Sequence, residues 1–315
     1  MRIYQDIKEQ AFSNPVVTLG IFDGVHLAHQ SIIRKLNETA RELSGESAIV
    51  TLWPHPRIVL NHNRDQIGLL NTLDEKIEQF QKTGVQNLIV IPFDEKLASM
   101  DFDQFLKDIL IKKIGIIHMV VGYNHHFGRN REGNFDKLLS LSTQLGFGLS
   151  RQDPVIIDDN RISSSLIRRL IMEGELETAN RYLGYIYHFT GIVVGGDMRG
   201  RDIGFPTANI KITDANKLIP PKGVYAVYIE LNGIRYKGMM NIGCRPTFND
   251  DCALDTLEVN LFDFSGDLYN KTLRIICIKK VRDEKKFETA AELTQQILHD
   301  KQLINKILDS VKMKI

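Results

Sequence analysis

The sequence predicts an α/β chain in two parts, a doubly wound parallel sheet followed by an antiparallel β-barrel that ends in a helix. Three observations lead there. In the first part, short apolar β-branched runs alternate with amphipathic helical patterns, as in a sheet covered on both faces. In the second part, short β-rich runs follow one another through glycine-bearing turns. The chain has 315 residues, more than the roughly 100–200 that one domain commonly holds. The expected domains are residues 1–184 and 185–315.

Each element has its own signal. Val16-Val17-Thr18-Leu19-Gly20 reads as a buried strand, with a helical pattern from about His29 to Leu43. Ala48 to Leu52 is a second strand. Thr72 with Glu75 forms a capping box that opens a helix through Leu73, Ile77 and Phe80. Leu88 to Ile91 is a third strand, followed by a helix from Asp101 with Phe102, Phe105, Leu106 and Ile109 on one side. Ile116 to Val121 is a fourth, and Phe135, Leu138, Leu139 and Leu145 mark another helix. In such sheets ligands collect at the carboxyl ends of the strands. The later strands are His188 to Val194, Gly223 to Leu231, Arg235 to Asn241, Thr256 to Phe262 and Leu273 to Ile278. Asn232-Gly233 is a hairpin signal, and a helix from about Phe287 to Val311 turns its Phe and Leu stripe to the barrel.

Composition narrows the class of function. Lys and Arg total 40 against 39 Asp and Glu, a formal charge of +1, so no overall field favours nucleic acid or an anionic membrane. No apolar run approaches the ~18 residues that span a bilayer. The first six residues lack the apolar core of a signal peptide. Cys244, Cys252 and Cys277 match neither a zinc knuckle nor a redox pair and read as free thiols. The expectation is a soluble cytoplasmic protein acting on small molecules, its oligomeric state open.

Two segments of the first part carry chemistry. Leu19 to His29 leaves a strand and enters a helix. Gly20 and Gly24 permit a tight turn, and the helix N-terminus suits a phosphate. His26 and His29 fall on one side of the first turn, where imidazoles can donate to charge that grows in phosphoryl or nucleotidyl transfer. The same pattern also describes histidines that merely cap or pack. Ser163, Ser164 and Ser165 at a helix entrance, with Arg168 one turn inside, either cap the helix or hold a polyphosphate. In the second part, Gly200 and Gly204 belong to a segment whose amides could wrap phosphates. Thr207 and Asn209 project to one side and offer oxygens of the kind Mg²⁺ accepts; a plain barrel turn fits equally. Glu258 shares a strand face with Asn260 and Phe262. It is a solvated residue if that face points outward and a general base if it lines the barrel mouth.

These motifs have a family likeness. His26 to His29 resembles the HxGH signature of the α/β nucleotidyltransferases, with Ala28 in place of Gly, and Ser163 to Arg168 resembles their ISSTxxR signature. Gly20 to His26 and Gly122-Tyr123-Asn124-His125-His126-Phe127-Gly128 look like the FMN adenylyltransferase module of bacterial FAD synthetase. Pro206-Thr207-Ala208-Asn209, Asn241 to Phe248 and Asp267-Leu268-Tyr269 resemble the riboflavin kinase module, with Asn270 where Gly is frequent. The chain is thus similar throughout to the bacterial bifunctional riboflavin kinase and FMN adenylyltransferase family.

That resemblance implies a Rossmann-like doubly wound nucleotidyltransferase domain before a kinase barrel. It implies that riboflavin is phosphorylated to FMN by ATP, and that FMN and a second ATP then give FAD and pyrophosphate. His26 and His29 would stabilise the α-phosphate, with Gly20, Phe22, Asp23 and Gly24 as the phosphate turn. Ser164, Ser165 and Arg168 would hold pyrophosphate, and Asn124 would place the nucleotide or flavin. Thr207 and Asn209 would carry Mg²⁺ and ATP phosphates, Glu258 would be the base, and Asn241, Arg245, Pro246 and Thr247 would lie in a loop over the flavin. A similar His-Pro often stands where His55 does, so His55 either touches nucleotide or packs. An alternative keeps the kinase alone, with a structural first domain.

Overall fold

A computed structural model of the chain describes residues 1–5, 12–60, 67–123, 134–195, 204–244 and 255–311. It forms two compact units, Met1–Ser164 and Ser165–Ile315.

The first unit is a six-stranded parallel sheet of β1 (Arg2–Tyr4), β2 (Val16–Leu19), β3 (Ser47–Trp53), β4 (Asn87–Pro92), β5 (His118–Gly122) and β6 (Gly148–Gln152). Its order is β1-β4-β3-β2-β5-β6. The helices are α1 (Leu27–Glu42), α2 (Pro56–Leu60), α3 (Leu73–Gln81), α4 (Glu95–Ser99), α5 (Phe102–Phe105) and α6 (Phe135–Leu145). Beyond Phe105, α5 widens into π turns over Leu106–Ile114 that still bury Leu106, Ile109 and Leu110. β2 to β4 are mostly apolar and buried except at the ends Trp53 and Pro92, and they are flanked by two separate clusters. One holds Val17, Val50 and Phe105, the other Val16, Ile33 and Phe80. Two covered faces are what the continuous apolar runs require.

The capping box forms as expected. Glu75 N donates to Thr72 Oγ1 at 3.3 Å, and Thr72 N donates to Glu75 Oε2 at 3.0 Å. The helix marked by Phe135, Leu138, Leu139 and Leu145 is α6. Within it Leu139 is 48% exposed, while Leu138 and Leu141 are buried, because the inward stripe advances by threes there. The short edge strands β1 and β6, which pair with β4 and β5, carry no apolar run that would announce them.

After a two-stranded ribbon of β7 (Ile156–Ile157) and β8 (Asn160–Arg161), α7 (Ser164–Met172) and α8 (Leu176–Leu183) lead into the second unit. The division at Ser164 lies before the Gly184 junction expected from sequence. The reason is that α8 packs on the barrel: Asn180 Nδ2 donates to Cys277 O at 3.0 Å, and Lys279 pairs with Glu177 at 2.9 Å. The barrel strands are β9 (His188–Val194), β10 (Ala208–Ile212), β11 (Gly223–Leu231), β12 (Ile234–Cys244), β13 (Asp255–Leu261) and β14 (Thr272–Arg282). They close in the antiparallel order β10-β13-β12-β11-β14-β9, sealed by β9 against β10.

Asn232 and Gly233 turn the β11–β12 hairpin with φ of 51° and 79°, the left-handed pair that a two-residue turn needs. The final helix, α9 (Ala290–Ser310), is capped by Thr289. Its seam differs from the expected Phe and Leu stripe: Phe287 precedes the helix, Leu298 and Leu303 are exposed, and Ile304 and Leu308 pack on Val224, Met239 and Phe262. Arg282 grips the buried Asp300 of α9 at 2.8 Å. Among the described residues, no helix is long and apolar enough to cross a membrane.

Candidate active sites

In the first unit the sheet order steps outward from β2 in both directions, so the carboxyl ends of β2 and β5 flank the topological switch point, where open sheets bind ligands. The β2–α1 turn occupies that edge. Phe22 and Val25 hold φ of 52° and 36°, a conformation that L-residues keep only when their surroundings impose it. A hydrogen-bond net does so. The buried Asp23 carboxylate accepts from Leu70 N at 3.1 Å and from Asn71 N at 3.3 Å. Lys76 Nζ donates to Ile21 O at 2.8 Å, and Thr51 Oγ1 donates to the same carbonyl at 3.3 Å. Gln30 Nε2 donates to Val25 O at 2.9 Å. Gly24 has φ of 88°, and a Cβ at Gly20 would press the Phe22 ring at 3.1 Å. Asp23, expected as part of a phosphate turn, spends its carboxylate on the 70–71 backbone.

His26 caps α1: its Nδ1 accepts from His29 N at 3.4 Å. An accepting Nδ1 leaves the proton on Nε2. That nitrogen lies 3.3 Å from Ser164 Oγ, which itself donates to Asp23 O at 2.8 Å. Sequence-distant Ser164 is thereby joined to the turn. The His29 ring stacks on His26 with centroids 3.6 Å apart, and Phe22 meets it edge-on at 5.2 Å. His29 Nδ1 is buried with no hydrogen-bond partner among the described residues. Burial, aided by His26 and Lys76, holds the His29 pKa well below the usual imidazole value, so it is neutral near pH 7. Neutral stacked imidazoles are donors without charge. Ser165 and Arg168 follow on α7 and belong to the second unit, while Asn124 and His125 lie outside the described residues. His55 Nδ1 accepts from Arg57 N at 3.1 Å at the start of α2, a capping bond.

Lys76 was not anticipated from the sequence. It is 1% exposed, its ammonium lies 5.2 Å from the Trp53 ring centroid, and burial lowers its pKa to about 8 despite the opposing pull of Asp23. The available signal was a lysine on the inward stripe of α3, between Leu73 and Phe80.

In the barrel, cross-strand register does the assembling. Glu258 of β13 pairs with Asn209 of β10 on one side and Asn241 of β12 on the other. Directly opposed residues share a face, so the three side chains form one row. The neighbouring row, Ala208, Val259 and Met240, is buried. Thr207 Oγ1 donates to Glu258 Oε2 at 3.1 Å. Glu258 is half-buried, and its expected face companions are inside the protein: Phe262 packs under α9, and Asn260 Nδ2 donates to Pro206 O at 2.6 Å, bracing the segment before Thr207. The sequence places Asn260 on the face of Glu258 but shows no sign of this bracing bond.

Thr207 and Asn209 also line a cavity of about 330 Å³ with Val193, Leu261, Phe264 and Tyr269. Asp267 Oδ1 accepts from Tyr269 N at 2.9 Å to shape its wall. Asn270 takes φ of 59°, a left-handed conformation that both Asn and Gly adopt readily. Gly204 is exposed with φ of 78°. Gly200, Arg245, Pro246 and Thr247 lie outside the described residues. The donors present fit a small hard cation: a hydroxyl, an amide oxygen and a carboxylate. Among the described residues no cluster of three His, Cys, Asp or Glu could hold a metal alone.

Comparison with known proteins agrees with both halves. The FAD synthetase family model matches residues 8–166, and the riboflavin kinase model matches residues 183–308. A bifunctional riboflavin kinase/FMN adenylyltransferase of Bacillus subtilis is 39% identical, covering 94% of this chain and 92% of its own length. The protein of that name in Listeria monocytogenes is 38% identical over 92% of this chain and 91% of its own. A solved structure described as a macrolide-efflux protein of Streptococcus pneumoniae has a TM-score of 0.87 at 28% identity, covering 97% of this chain and 99% of that one. With two family models met in sequence and relatives that run nearly end to end, the chain belongs to the bifunctional riboflavin kinase/FMN adenylyltransferase family.

Proposed function

We propose that this chain converts riboflavin to FMN on its barrel and FMN to FAD on its parallel-sheet half, each step consuming one ATP. The comparisons support both activities over a kinase with a structural first half. We assign the adenylyl step to residues 1–184 and the kinase step to 185–315.

The observation that carries the division of labour is the placement of carboxylates. In the barrel, the half-buried Glu258 carboxylate accepts from the Thr207 hydroxyl and stands in a row with Asn209 and Asn241. A riboflavin hydroxyl needs to lose its proton as it attacks, and Glu258 takes that proton while the 5′-oxygen bonds to the γ-phosphorus and ADP departs. Thr207 and Asn209 hold Mg²⁺ together with the nucleotide phosphates, and the ion's chemistry is to offset phosphate charge. Amides around Gly200 and Gly204 wrap those phosphates, and Asn241, Arg245, Pro246 and Thr247 cover the flavin.

In the first unit the one acid of the turn, Asp23, is bonded to backbone. The FMN phosphate is already an anion and needs no base. Its oxygen bonds to the α-phosphorus of ATP, and the bond to the β-phosphate oxygen breaks, releasing pyrophosphate. His26 and His29 donate to the oxygens on which charge builds, with Gly20, Phe22 and Gly24 shaping the turn beneath. Ser164, Ser165 and Arg168 hold the leaving pyrophosphate, and Asn124 places the acceptor. We place the protein in the cytoplasm, where thiols such as buried Cys277 stay reduced.

Chromatography of the flavins made from riboflavin, ATP and Mg²⁺ tests the scheme. Wild type gives FMN, then FAD. Loss of both products in either His29→Ala or Glu258→Ala alone would refute the two-site division.

A further inference from the structure

We propose that Lys76 is a positioning residue for adenylyl transfer, a buried ammonium that pins the Ile21 carbonyl and sets a fixed positive charge behind the His29 imidazole. The proposal rests on assigning adenylyl transfer to the β2–α1 turn.

A buried lysine is costly and needs a reason. Satisfying the Ile21 carbonyl is not enough of one, because Thr51 Oγ1 already donates to it. A neutral donor at position 76 would serve that bond equally well. What a lysine adds is charge. The groups packed around it make that charge unusual. From the turn, Asp23 attracts it, yet the Asp23 carboxylate is also engaged by the Leu70 and Asn71 amides. From α1 comes His29 with His26 stacked on it, and the positive charge of Lys76 helps keep the His29 imidazole neutral. From the end of β3 comes the Trp53 ring, and on its own helix Glu75 is occupied by the capping box. With both imidazoles neutral and both carboxylates bonded to backbone amides, Lys76 is the cation of this group, at the sheet edge where a nucleotide's phosphates would sit.

The two functions then separate cleanly. Neutral His26 and His29 supply directed hydrogen bonds, and Lys76, which never needs to touch substrate, supplies the field. Its pKa of about 8 gives a readout. Below about pH 8 the ammonium is charged and the site is complete; above it the amine is neutral and adenylyl transfer declines. Phosphates arriving nearby favour the charged form, so nucleotide binding near pH 8 takes up protons.

The test compares wild type, Lys76→Arg and Lys76→Met in FMN-to-FAD conversion from about pH 6.5 to about pH 10. Riboflavin-to-FMN conversion by the same proteins is followed in parallel. Calorimetry of ATP binding near pH 8, in buffers of different ionisation enthalpy, counts protons. Expected is an alkaline limb near pH 8 in wild type that moves beyond about pH 9 in Lys76→Arg, and a loss on the order of 10–10² in kcat/KM for Lys76→Met at pH 7. Proton uptake should be present in wild type and smaller in Lys76→Met, with kinase rates unchanged. A limb that stays near pH 8 in Lys76→Arg, or wild-type proton uptake in Lys76→Met, overturns the proposal. If Lys76→Met does not fold, the Lys76→Arg limb decides alone. Should His29→Ala leave FAD formation intact, the site assignment itself is wrong. If His29→Ala abolishes FAD while the Lys76 variants titrate like wild type, only the role of Lys76 falls.

Discussion

The two candidate sites, each proposed to take a nucleotide triphosphate tail, are built by opposite routes. The parallel-sheet site is mostly local. One turn and the first residues of one helix supply Gly20, Gly24, His26 and His29, while Ser164 and Lys76 reach the turn from elsewhere. The barrel site is almost wholly non-local. Glu258 meets Asn209 and Asn241 because three strands pair in a particular register. The chemistry follows the construction. A turn tightened around backbone bonds makes a fixed set of neutral donors for an anionic nucleophile. A row across strands can present a carboxylate to a hydroxyl while the opposite row seals the core.

The comparison can be broken in several places, starting from the largest effect. Glu258→Gln keeps the shape of the row and removes the base. FMN formation should fall on the order of 10²–10⁴ while supplied FMN still becomes FAD, as flavin chromatography would show. Comparable loss of FAD formation would mean that the sites are not independent. His29→Ala should cost on the order of 10²–10³ in FAD formation and leave FMN accumulating, read in the same assay. Stability sharpens the contrast further. Trp53 is the chain's one tryptophan, so its fluorescence reports the parallel-sheet unit alone. Asp23→Ala leaves the Leu70 and Asn71 amides without their acceptor. It should destabilise the Trp53-detected transition by about 1–3 kcal/mol without shifting unfolding of the barrel.

The smallest effect is in pH. His29 has its folded pKa depressed by burial, so the unfolded chain takes a proton near pH 6.5 that the folded one refuses. The stability it contributes is present above that pH and is lost on acidification. The slope is up to about 1.4 kcal/mol per pH unit. The Trp53 transition should flatten in pH when His29 is replaced; an unchanged slope would reassign the acid sensitivity.

Legibility in the sequence tracks the same contrast. Buried strands and capped helices could be read because their signals are local, as Val16 to Leu19 and the Thr72–Glu75 box illustrate. β1, β6 and β10 escaped because short strands whose faces are only partly buried lack a continuous apolar run. The α6 helix could be read from its leucines but its inner face could not, because helical spacing allows either of two neighbouring positions inward, and Leu138 and Leu141 are the ones buried. Among site residues, the turn histidines stand in an unbroken motif. Glu258 offered two opposite readings, since a single strand does not reveal its neighbours. Asn260 and Lys76 act through bonds to carbonyls of Pro206 and Ile21, far away in the chain, which no spacing rule exposes.

The Asn232–Gly233 hairpin tip has a practical consequence. Both residues and Ile234 after them are exposed, and the turn is satisfied by its own two strands. Along β12, Ile234 beside the tip lies seven residues from Asn241, roughly 24 Å at strand rise. A fluorophore or short peptide tag grafted there would ride on the barrel without crowding its flavin entrance, giving a handle for surface attachment and single-molecule observation of turnover.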